Sequence, residues 1–218
     1  MTEPQGRRPL ASRNTAWAQS LARRFAATRL TPNQISMAGV GFAALAGLCL
    51  WGVGHSDGAL RIILLSLAAA GCQLRLICNL LDGMVAIEAG KQTADGAFWN
   101  EFPDRVSDIL IFVGLGLGVG VAALGWAAAC IAVLTAYTRE LGRAVGAAAD
   151  YSGPMAKPQR MALVTAGALA SVFDPLWAGQ GVLLLGVLWV LCLGGAATVM
   201  RRARHLIAHL QNQPKQGT

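Results

Sequence analysis

Long uncharged stretches, separated by short polar segments, are the dominant pattern of this chain. No charged residue lies between Arg29 and Asp57, and none lies from 109 to 138. Because a helix that crosses a bilayer needs about 20 mostly apolar residues, the pattern predicts six spans, at about 34–53, 60–81, 103–120, 123–142, 159–174 and 179–200. The stretch 109–138 is too long for one span, and GVGVAALG within it supplies a turn between two. We therefore expect an all-α integral membrane protein with six transmembrane helices.

The segment before the first predicted span has a different pattern. Residues 11–29 mix arginines with Trp17, Leu21 and Phe25 at helical spacing. This mixture is typical of an amphipathic helix that lies on the membrane interface, while a solvated basic leader is the alternative. No short apolar run follows the basic N-terminus, so we expect no cleavable targeting segment.

Composition and charge support this assignment and orient the chain. It is 55% hydrophobic and 13% charged, whereas soluble domains carry about 25% charged residues. Of 18 basic residues, 16 fall in 1–33, 87–105, 139–160 and 201–218. Because basic loops stay inside, these segments and both termini are predicted to be cytoplasmic, in a multi-pass protein of the cell membrane. The net charge of +7 favours an anionic membrane surface over nucleic acid as its partner. The predicted division is a cytoplasmic N-terminal segment 1–33, a membrane domain 34–200 and a polar cytoplasmic tail 201–218.

The cysteines give no sign of a disulfide framework or a zinc site. They lie in apolar runs and form no CxxC pair. We expect all five to act as small buried hydrophobic residues, namely Cys49, Cys72, Cys78, Cys130 and Cys192.

Acidic and amide side chains gather where the second predicted span ends and the third begins. Asn79 and Asp82 share one helix face, and Asn100, Asp104 and Asp108 step by four along another. Both ends are predicted to be cytoplasmic and are joined by a short loop, so the two faces can converge. Solvated loop charge is the alternative and suits Glu88, Lys91 and Asp95. It suits Asp82 poorly, because this residue directly follows the apolar run LICNLL.

The residue types in this cluster favour a hard divalent cation. Carboxylate and amide oxygens suit Mg²⁺ or Mn²⁺, and the absence of His and Cys from the cluster argues against zinc. The small residues Gly83, Ala86 and Gly96 leave bare backbone that a ligand can approach closely. A metal beside an open surface near lipid headgroups favours phosphoryl chemistry.

The same stretch resembles the signature of the CDP-alcohol phosphotransferase family, DxxDGxxAR, eight residues, then GxxxDxxxD. The chain keeps every spacing and matches five of the eight fixed positions, which are Asp82, Gly83, Ala86, Gly96 and Asp104. Asn79, Ile87 and Asn100 stand at the other three. LTPNQIS at the first span and the segments YTRELGRAVG and SGPMAKPQR are also similar to the family, so the resemblance covers roughly 28–200.

The resemblance implies a reaction and roles for the matched residues. An acceptor hydroxyl would attack phosphorus of a CDP-linked donor, often CDP-diacylglycerol, and CMP would leave. Asp82 would be a metal ligand, and Asp104 both a ligand and the general base. Asp82, Gly83, Ala86 and Gly96 would border the cytidine diphosphate. Homodimers are common in the family and are expected here.

The departures at Asn79 and Asn100 halve the charge at the four carboxylate positions from −4 to −2. Each lost unit charge within ~4 Å of a cation is worth on the order of several kcal/mol at an effective dielectric constant near 20. Asn79 and Asn100 remain candidate ligands through their amide oxygens, and Glu101 and Asp108 are candidates to compensate. We expect an altered site with one tight metal ion or two weaker ones.

Basic residues on the loop between the fourth and fifth predicted spans are candidates to bind the acceptor. They are Arg139, Arg143, Lys157 and Arg160. Such residues suit a phosphorylated alcohol such as glycerol 3-phosphate or an inositol phosphate, although the positive-inside rule alone also predicts basic residues here. Arg75, one turn before Asn79, is a candidate counter-ion for the acids.

Two other functions remain open. One is a catalytically weak or inactive homologue that binds CDP-lipid or scaffolds other lipid enzymes. A small transporter has less support, because the acids gather at one interface and not at the bilayer midplane.

Overall fold

The computed structural model describes residues 15–88, 90–91, 93–176 and 179–212. Its α-helices are α1 (Ala16–Ala26), α2 (Pro32–Val53), α3 (Gly58–Glu88), α4 (Gly96–Gly118), α5 (Ala122–Ala144), α6 (Lys157–Ala170) and α7 (Val182–Gln211). A 3-10 helix, Ser171–Leu176, continues α6. The described ranges contain no β-strand, so the expected all-α class is confirmed.

Four of these helices, α2, α3, α5 and α7, are long and apolar enough to cross a membrane. The other two predicted spans correspond to helices that do not meet that standard. α6 has only 14 residues, and α4 carries four charged residues between 101 and 108. A multi-pass membrane protein is thus supported, and the count of six spans stays a prediction.

Several helix boundaries differ from the prediction at the ends that were assigned to the membrane surface. α3 continues to Glu88 instead of ending at 81, and α4 begins at Gly96 instead of 103. α7 runs to Gln211, so the predicted polar tail is helical over its first part, and 213–218 lie outside the described residues. The apolar stretches predict only the part of each helix that lies in the bilayer. The helix itself continues into water until a residue ends it. Asp82 consequently sits inside a helix and not at its end.

The predicted interfacial helix is shorter than expected but has a defined packing partner. α1 covers Ala16–Ala26, while 11–14 lie outside the described residues. Its buried Ala18 and Ala22 pack in one apolar cluster with Leu81 and Val85 of α3. The helix therefore lies beside the end of α3 that carries Asp82.

The start of α2 is fixed by local hydrogen bonds. Thr31 caps the helix through its side chain, which accepts from the Gln34 backbone N–H, while the Gln34 side chain accepts from the Thr31 backbone. This reciprocal arrangement satisfies two donors of the first turn. It sets Ser36 about one turn into the helix, facing α3.

α2 packs against both α3 and α4, and the contact with α4 is unusually close. A Cβ atom on Gly114 would lie 2.7 Å from the Cα atom of Gly47, so only glycine fits where the backbones meet. This packing brings the first turns of α2 and α4 to the last turns of α3. The candidate site forms where these three segments meet.

At the other end of α3 a buried ion pair joins the remaining helices. The Arg61 guanidinium lies 3.2 Å from Asp174 Oδ2 and donates to the Val53 carbonyl at 3.0 Å. The Gly181 backbone N–H also donates to Asp174 Oδ2, from a left-handed conformation with φ of 88° that favours glycine. This Arg61–Asp174 pair ties α2, α3, the 3-10 helix and the start of α7 together.

All five cysteines are free. Three of them, Cys49, Cys72 and Cys192, are buried as predicted. Cys78 is half-buried and Cys130 is exposed, so the expectation of burial is wrong for Cys130. Cys130 lies on α5, one of the helices long enough to cross the membrane, and exposure there is compatible with lipid contact.

Candidate active site

Asp82 is a buried carboxylate with neutral partners. Its residue is 5% exposed. Ser36 Oγ donates to Oδ2 at 2.7 Å, and the Gly83 backbone N–H donates to Oδ1 at 2.5 Å. Among the described residues, no Lys, Arg or His lies within 4.0 Å of its oxygens. A buried carboxylate is costly without a compensating charge, so this position is suited to an added cation.

Asp104, in contrast, is surrounded by cationic side chains. Its Oδ1 lies 3.2 Å from the Arg75 guanidinium, and its Oδ2 pairs with the Lys157 ammonium. Arg105 lies 3.6 Å from Oδ2 as well. Lys157 also donates to the side-chain oxygen of Asn79. One ammonium thus bridges the first and the fourth positions of the motif.

Asp108 is completely buried between two arginines. Arg75 lies 3.4 Å from one carboxylate oxygen and Arg160 lies 2.7 Å from the other. Arg160 is itself buried and donates to the Met155 carbonyl at 3.1 Å. The predicted role of Arg75 as a counter-ion is confirmed, because it contacts both Asp104 and Asp108.

A small cavity lies between the first turns of α2 and α4 and the last turns of α3. Its volume is about 10 Å³, and its lining includes Ser36, Asn79, Asp82 and Asp104. This is about the space that one water molecule needs. The described residues include no group of three or more His, Cys, Asp or Glu that could hold a metal ion. An ion here would therefore be held by two carboxylates and the Asn79 amide oxygen, a donor set that fits one hard divalent cation.

A larger cleft of about 320 Å³ adjoins Asp82. All four residues that the resemblance places at the cytidine diphosphate, Asp82, Gly83, Ala86 and Gly96, line this cleft together with Asn100. Asn100 is exposed, and it lines this cleft and not the small cavity. The structure therefore separates the two motif asparagines, one beside the small cavity and one on the open cleft.

Two further side chains shape the cleft. The Trp99 indole N–H donates to Asp95 Oδ2 at 2.7 Å, and Trp99 lines both the cleft and the small cavity. Hydrogen bonds from Thr93 and Trp99 lower the pKa of Asp95, so this carboxylate stays ionised and holds the indole. Lys91 donates to the Thr28 carbonyl at 3.0 Å, which joins the loop after α3 to the turn before α2.

The four predicted acceptor-binding residues are not brought together. Lys157 and Arg160 contact the buried acids, as described above. Arg139 pairs with Glu101 and with Glu140, and its guanidinium lies 5.4 Å from the centre of the Tyr151 ring. Arg143 pairs with Glu140 at 3.0 Å and its side chain is 49% exposed.

Glu101 and Asp108, the two candidates for compensating charge, are both engaged by arginines. Glu101 pairs with Arg139 and with Arg105. Asp108 pairs with Arg75 and with Arg160. Neither lines the small cavity. The geometry favours their use in ion pairs over metal ligation.

Sequence reasoning did not identify Ser36 or Trp99 as site residues. Ser36 closes the LTPNQIS segment, whose likeness to the family opening was a usable signal. Trp99 occupies a variable position of the motif, between Gly96 and Asn100. Nothing in the spacing marked it.

Comparison with known proteins gives relatives that span most of the chain. The inner membrane protein YnbA of Escherichia coli is 30% identical over 179 residues, which cover 82% of this chain and 85% of that protein. The phosphatidylinositol phosphate synthase of Mycobacteroides abscessus is 29% identical over 184 residues, covering 79% and 75%. Phosphatidylinositol phosphate synthases are CDP-alcohol phosphotransferases.

Over most of its length this chain is similar to members of the CDP-alcohol phosphotransferase family. No protein-family model matches it. The names of these relatives and the long apolar helices support a multi-pass membrane protein with a transferase role in phospholipid synthesis.

Solved structures have the same fold as this chain. The Mycobacterium tuberculosis phosphatidylinositol phosphate synthase with CDP-DAG bound superposes with a TM-score of 0.72 at 22% identity, covering 88% of this chain and 94% of that one. The same enzyme in complex with manganese and citrate gives 0.71, again at 22% identity, covering 87% and 88%.

Proposed function

We propose that the chain transfers a phosphatidyl group from CDP-diacylglycerol, or a related group from another CDP-alcohol, to an alcohol acceptor. The observation that carries this proposal is Asp82, a buried carboxylate between an ion-sized cavity and a 320 Å³ cleft, with no basic side chain of the described residues within 4.0 Å. The cleft is lined by the motif residues, and the related synthase was crystallised with CDP-DAG and with manganese.

The small cavity would hold a divalent cation, Mg²⁺ or Mn²⁺, chiefly through Asp82, with Asn79 and Asp104 lining the cavity beside it. When bound, this ion supplies positive charge to the phosphate oxygens and to the leaving CMP. Ser36 and the Gly83 N–H orient the Asp82 carboxylate for that role. The bare backbone at Gly83 and Gly96 leaves room for the diphosphate in the cleft.

Asp104 takes the proton of the acceptor hydroxyl. The hydroxyl oxygen then forms a bond to the phosphorus that carries diacylglycerol, and the bond from that phosphorus to CMP breaks. CMP leaves with the electron pair of that bond. Arg75 holds Asp104 in place through its contacts to one carboxylate oxygen and to the backbone carbonyl, at 3.2 Å each.

The membrane arrangement is part of the proposal. Four spans are α2, α3, α5 and α7. The other two are α4 and α6 with its 3-10 extension, and the cleft lies at the cytoplasmic surface. Sixteen of the 18 basic residues fall in segments assigned to that side. Close glycine packing between helices, as at Gly47 and Gly114, is compatible with a homodimer built on other faces.

A phosphorylated alcohol is the proposed acceptor, with an inositol phosphate ahead of glycerol 3-phosphate. The names of two relatives, both phosphatidylinositol phosphate synthases, favour the first. Arg139 is an acceptor candidate that pairs with Glu101 and Glu140. It also lines a third cavity, of about 340 Å³, with Arg202 and His205. Arg160 is engaged by Asp108, and Lys157 is engaged by Asp104 and Asn79.

The test is release of CMP from labelled CDP-diacylglycerol by membranes that contain the full chain, with Mg²⁺ or Mn²⁺ and a panel of alcohols. The proposal predicts release that depends on one acceptor and vanishes in Asp104→Ala. Asp57→Ala is the matched control, because Asp57 is an exposed acid at the other end of α3, and it should leave release unchanged. Binding of CDP-lipid without release for any acceptor would contradict the proposal and favour an inactive homologue.

A further inference from the structure

We propose that the Lys157 ammonium is a built-in cation in the place of a second metal ion, so that this chain binds a single divalent ion. The inference rests on the proposed function and defines the charge of its site. Lys157 donates to the Asn79 side-chain oxygen and pairs with Asp104 Oδ2. These atoms belong to the first and the fourth motif positions, on α3 and α4. A cation bridging the two helices there would need the space that the ammonium fills.

The asparagine at 79 suits this arrangement. A neutral amide oxygen accepts a hydrogen bond from an ammonium without adding charge, so one carboxylate, Asp104, balances Lys157. A carboxylate at 79 would raise the negative charge beside the ammonium and favour a divalent ion in its place. The neutral Asn79 oxygen thus matches the single positive charge of the Lys157 ammonium.

The net charge of the cluster around Asp104 also favours a single divalent ion. It contains three acids, Asp82, Asp104 and Asp108, and three bases, the buried Arg75 and Arg160 and the partly buried Lys157. Arg105 is shared with Glu101 at 3.6 Å and adds no net charge with it. The cluster is therefore neutral before any ligand binds. One divalent ion and the two negative charges of a CDP-lipid diphosphate keep it neutral, whereas a second ion would leave two positive charges in a buried site.

The space available agrees with a single ion. The cavity beside Asp82 has room for about one water-sized particle. Asp82 has no basic partner within 4.0 Å among the described residues, whereas Asp104 has three. The single ion therefore belongs on the Asp82 side of the cavity.

The test counts Mn²⁺ ions on the purified full-length chain without substrate, by equilibrium dialysis and by electron paramagnetic resonance. The wild type should bind one Mn²⁺ per chain with the spectrum of an isolated ion. The double variant Asn79→Asp/Lys157→Met should bind a second Mn²⁺, and the two ions should show magnetic coupling. Arg143→Met removes an exposed cation outside the cluster and is the matched control, with one ion expected.

Two magnetically coupled ions in the wild type, no ion at all, or a double variant that still binds one ion would each overturn the inference. The single variant Lys157→Met guards against misfolding of the double variant. It should bind its first Mn²⁺ at least about tenfold more tightly, because a nearby positive charge is gone, and unchanged or weaker binding would also overturn the inference. Since no substrate is present, the ion count is separate from turnover. One bound ion without CMP release would contradict the proposed function but not this inference. Two bound ions with CMP release would contradict this inference but not the proposed function.

Discussion

Two buried aspartates lie at opposite ends of α3, Asp82 on the helix itself and Asp174 on the neighbouring 3-10 helix, and their electrostatic settings are opposite. Asp174 meets Arg61 near the start of the helix, whereas Asp82, about 30 Å further along, meets only a hydroxyl and a backbone N–H. The Arg61–Asp174 pair supplies its own countercharge and joins helices. Asp82 lies on an open cleft, and no basic side chain of the described residues lies within 4.0 Å of it. A buried acid that the protein leaves without a basic partner, beside space for a ligand, marks the functional end of the molecule.

The largest expected effect is on activity, from Asp82→Asn. CMP release should fall by at least about a thousandfold, to below detection, since the substitution removes the carboxylate on which the single ion depends. Thermal unfolding in detergent, without metal, should be unchanged or slightly higher, because no cation is left unpaired. A clear loss of metal-free stability in this variant would mean that Asp82 is a structural acid like Asp174.

Asp174→Asn should have the opposite effects, a loss of stability with little change in activity. Removing one partner of a buried ion pair costs about 3–5 kcal/mol, because Arg61 is left without countercharge. Denaturant or thermal unfolding should show this loss, while CMP release per folded molecule stays near the wild-type level. The double variant Arg61→Met/Asp174→Leu should recover much of the stability. Equal loss of stability and turnover per folded chain would contradict the division between the two ends.

Ser36→Ala should have an intermediate effect at the functional end. Its hydroxyl orients Asp82 Oδ2 at 2.7 Å, and loss of such a supporting partner weakens metal binding or activity by about 10- to 100-fold. The concentration of Mn²⁺ at half-maximal CMP release is the measurement. Ser66→Ala is the control, because Ser66 is an exposed serine on α3, the helix that carries Asp82, and donates to a backbone carbonyl. Equal metal dependence in the two variants would refute the role of Ser36.

The smallest expected effect concerns the loop before α6. Burial raises the pKa of Asp150, but hydrogen bonds from Ser152 and the contact with His205 outweigh this and leave the pKa below its ordinary value. Because the folded state holds the proton less tightly, the stabilisation is present above the ordinary pKa and is lost as pH falls through the lowered value.

Asp150→Asn should therefore lower the free energy of unfolding by less than about 1 kcal/mol at neutral pH. The difference from the wild type should shrink below about pH 4, near the ordinary pKa of aspartate. Thermal unfolding of both proteins across this pH range measures it. A difference that grows in acid would show that Asp150 acts in another way.

The parts of this structure that sequence could predict are those with local or regularly spaced signals. Uncharged stretches predicted the long helices, and the spacing of Asp82, Gly83, Ala86 and Gly96 predicted residues that line one cleft. The contacts of Lys157 with Asn79 and of Arg160 with Asp108 join positions 78 and 52 residues apart. The spacing of apolar and polar residues along the chain does not predict contacts between positions so far apart. Charge, position in the chain and the family resemblance assigned the four loop bases to the acceptor, whereas packing turns Lys157 and Arg160 toward the buried acids.

The most direct test of the central claim is a titration of the purified chain with Mn²⁺ while CMP release from CDP-diacylglycerol is measured, with the preferred acceptor present. The account predicts no release without metal, saturable release with it, and no release at any Mn²⁺ concentration in Asp82→Asn. Release that persists after metal is removed, or that survives in Asp82→Asn, would contradict it.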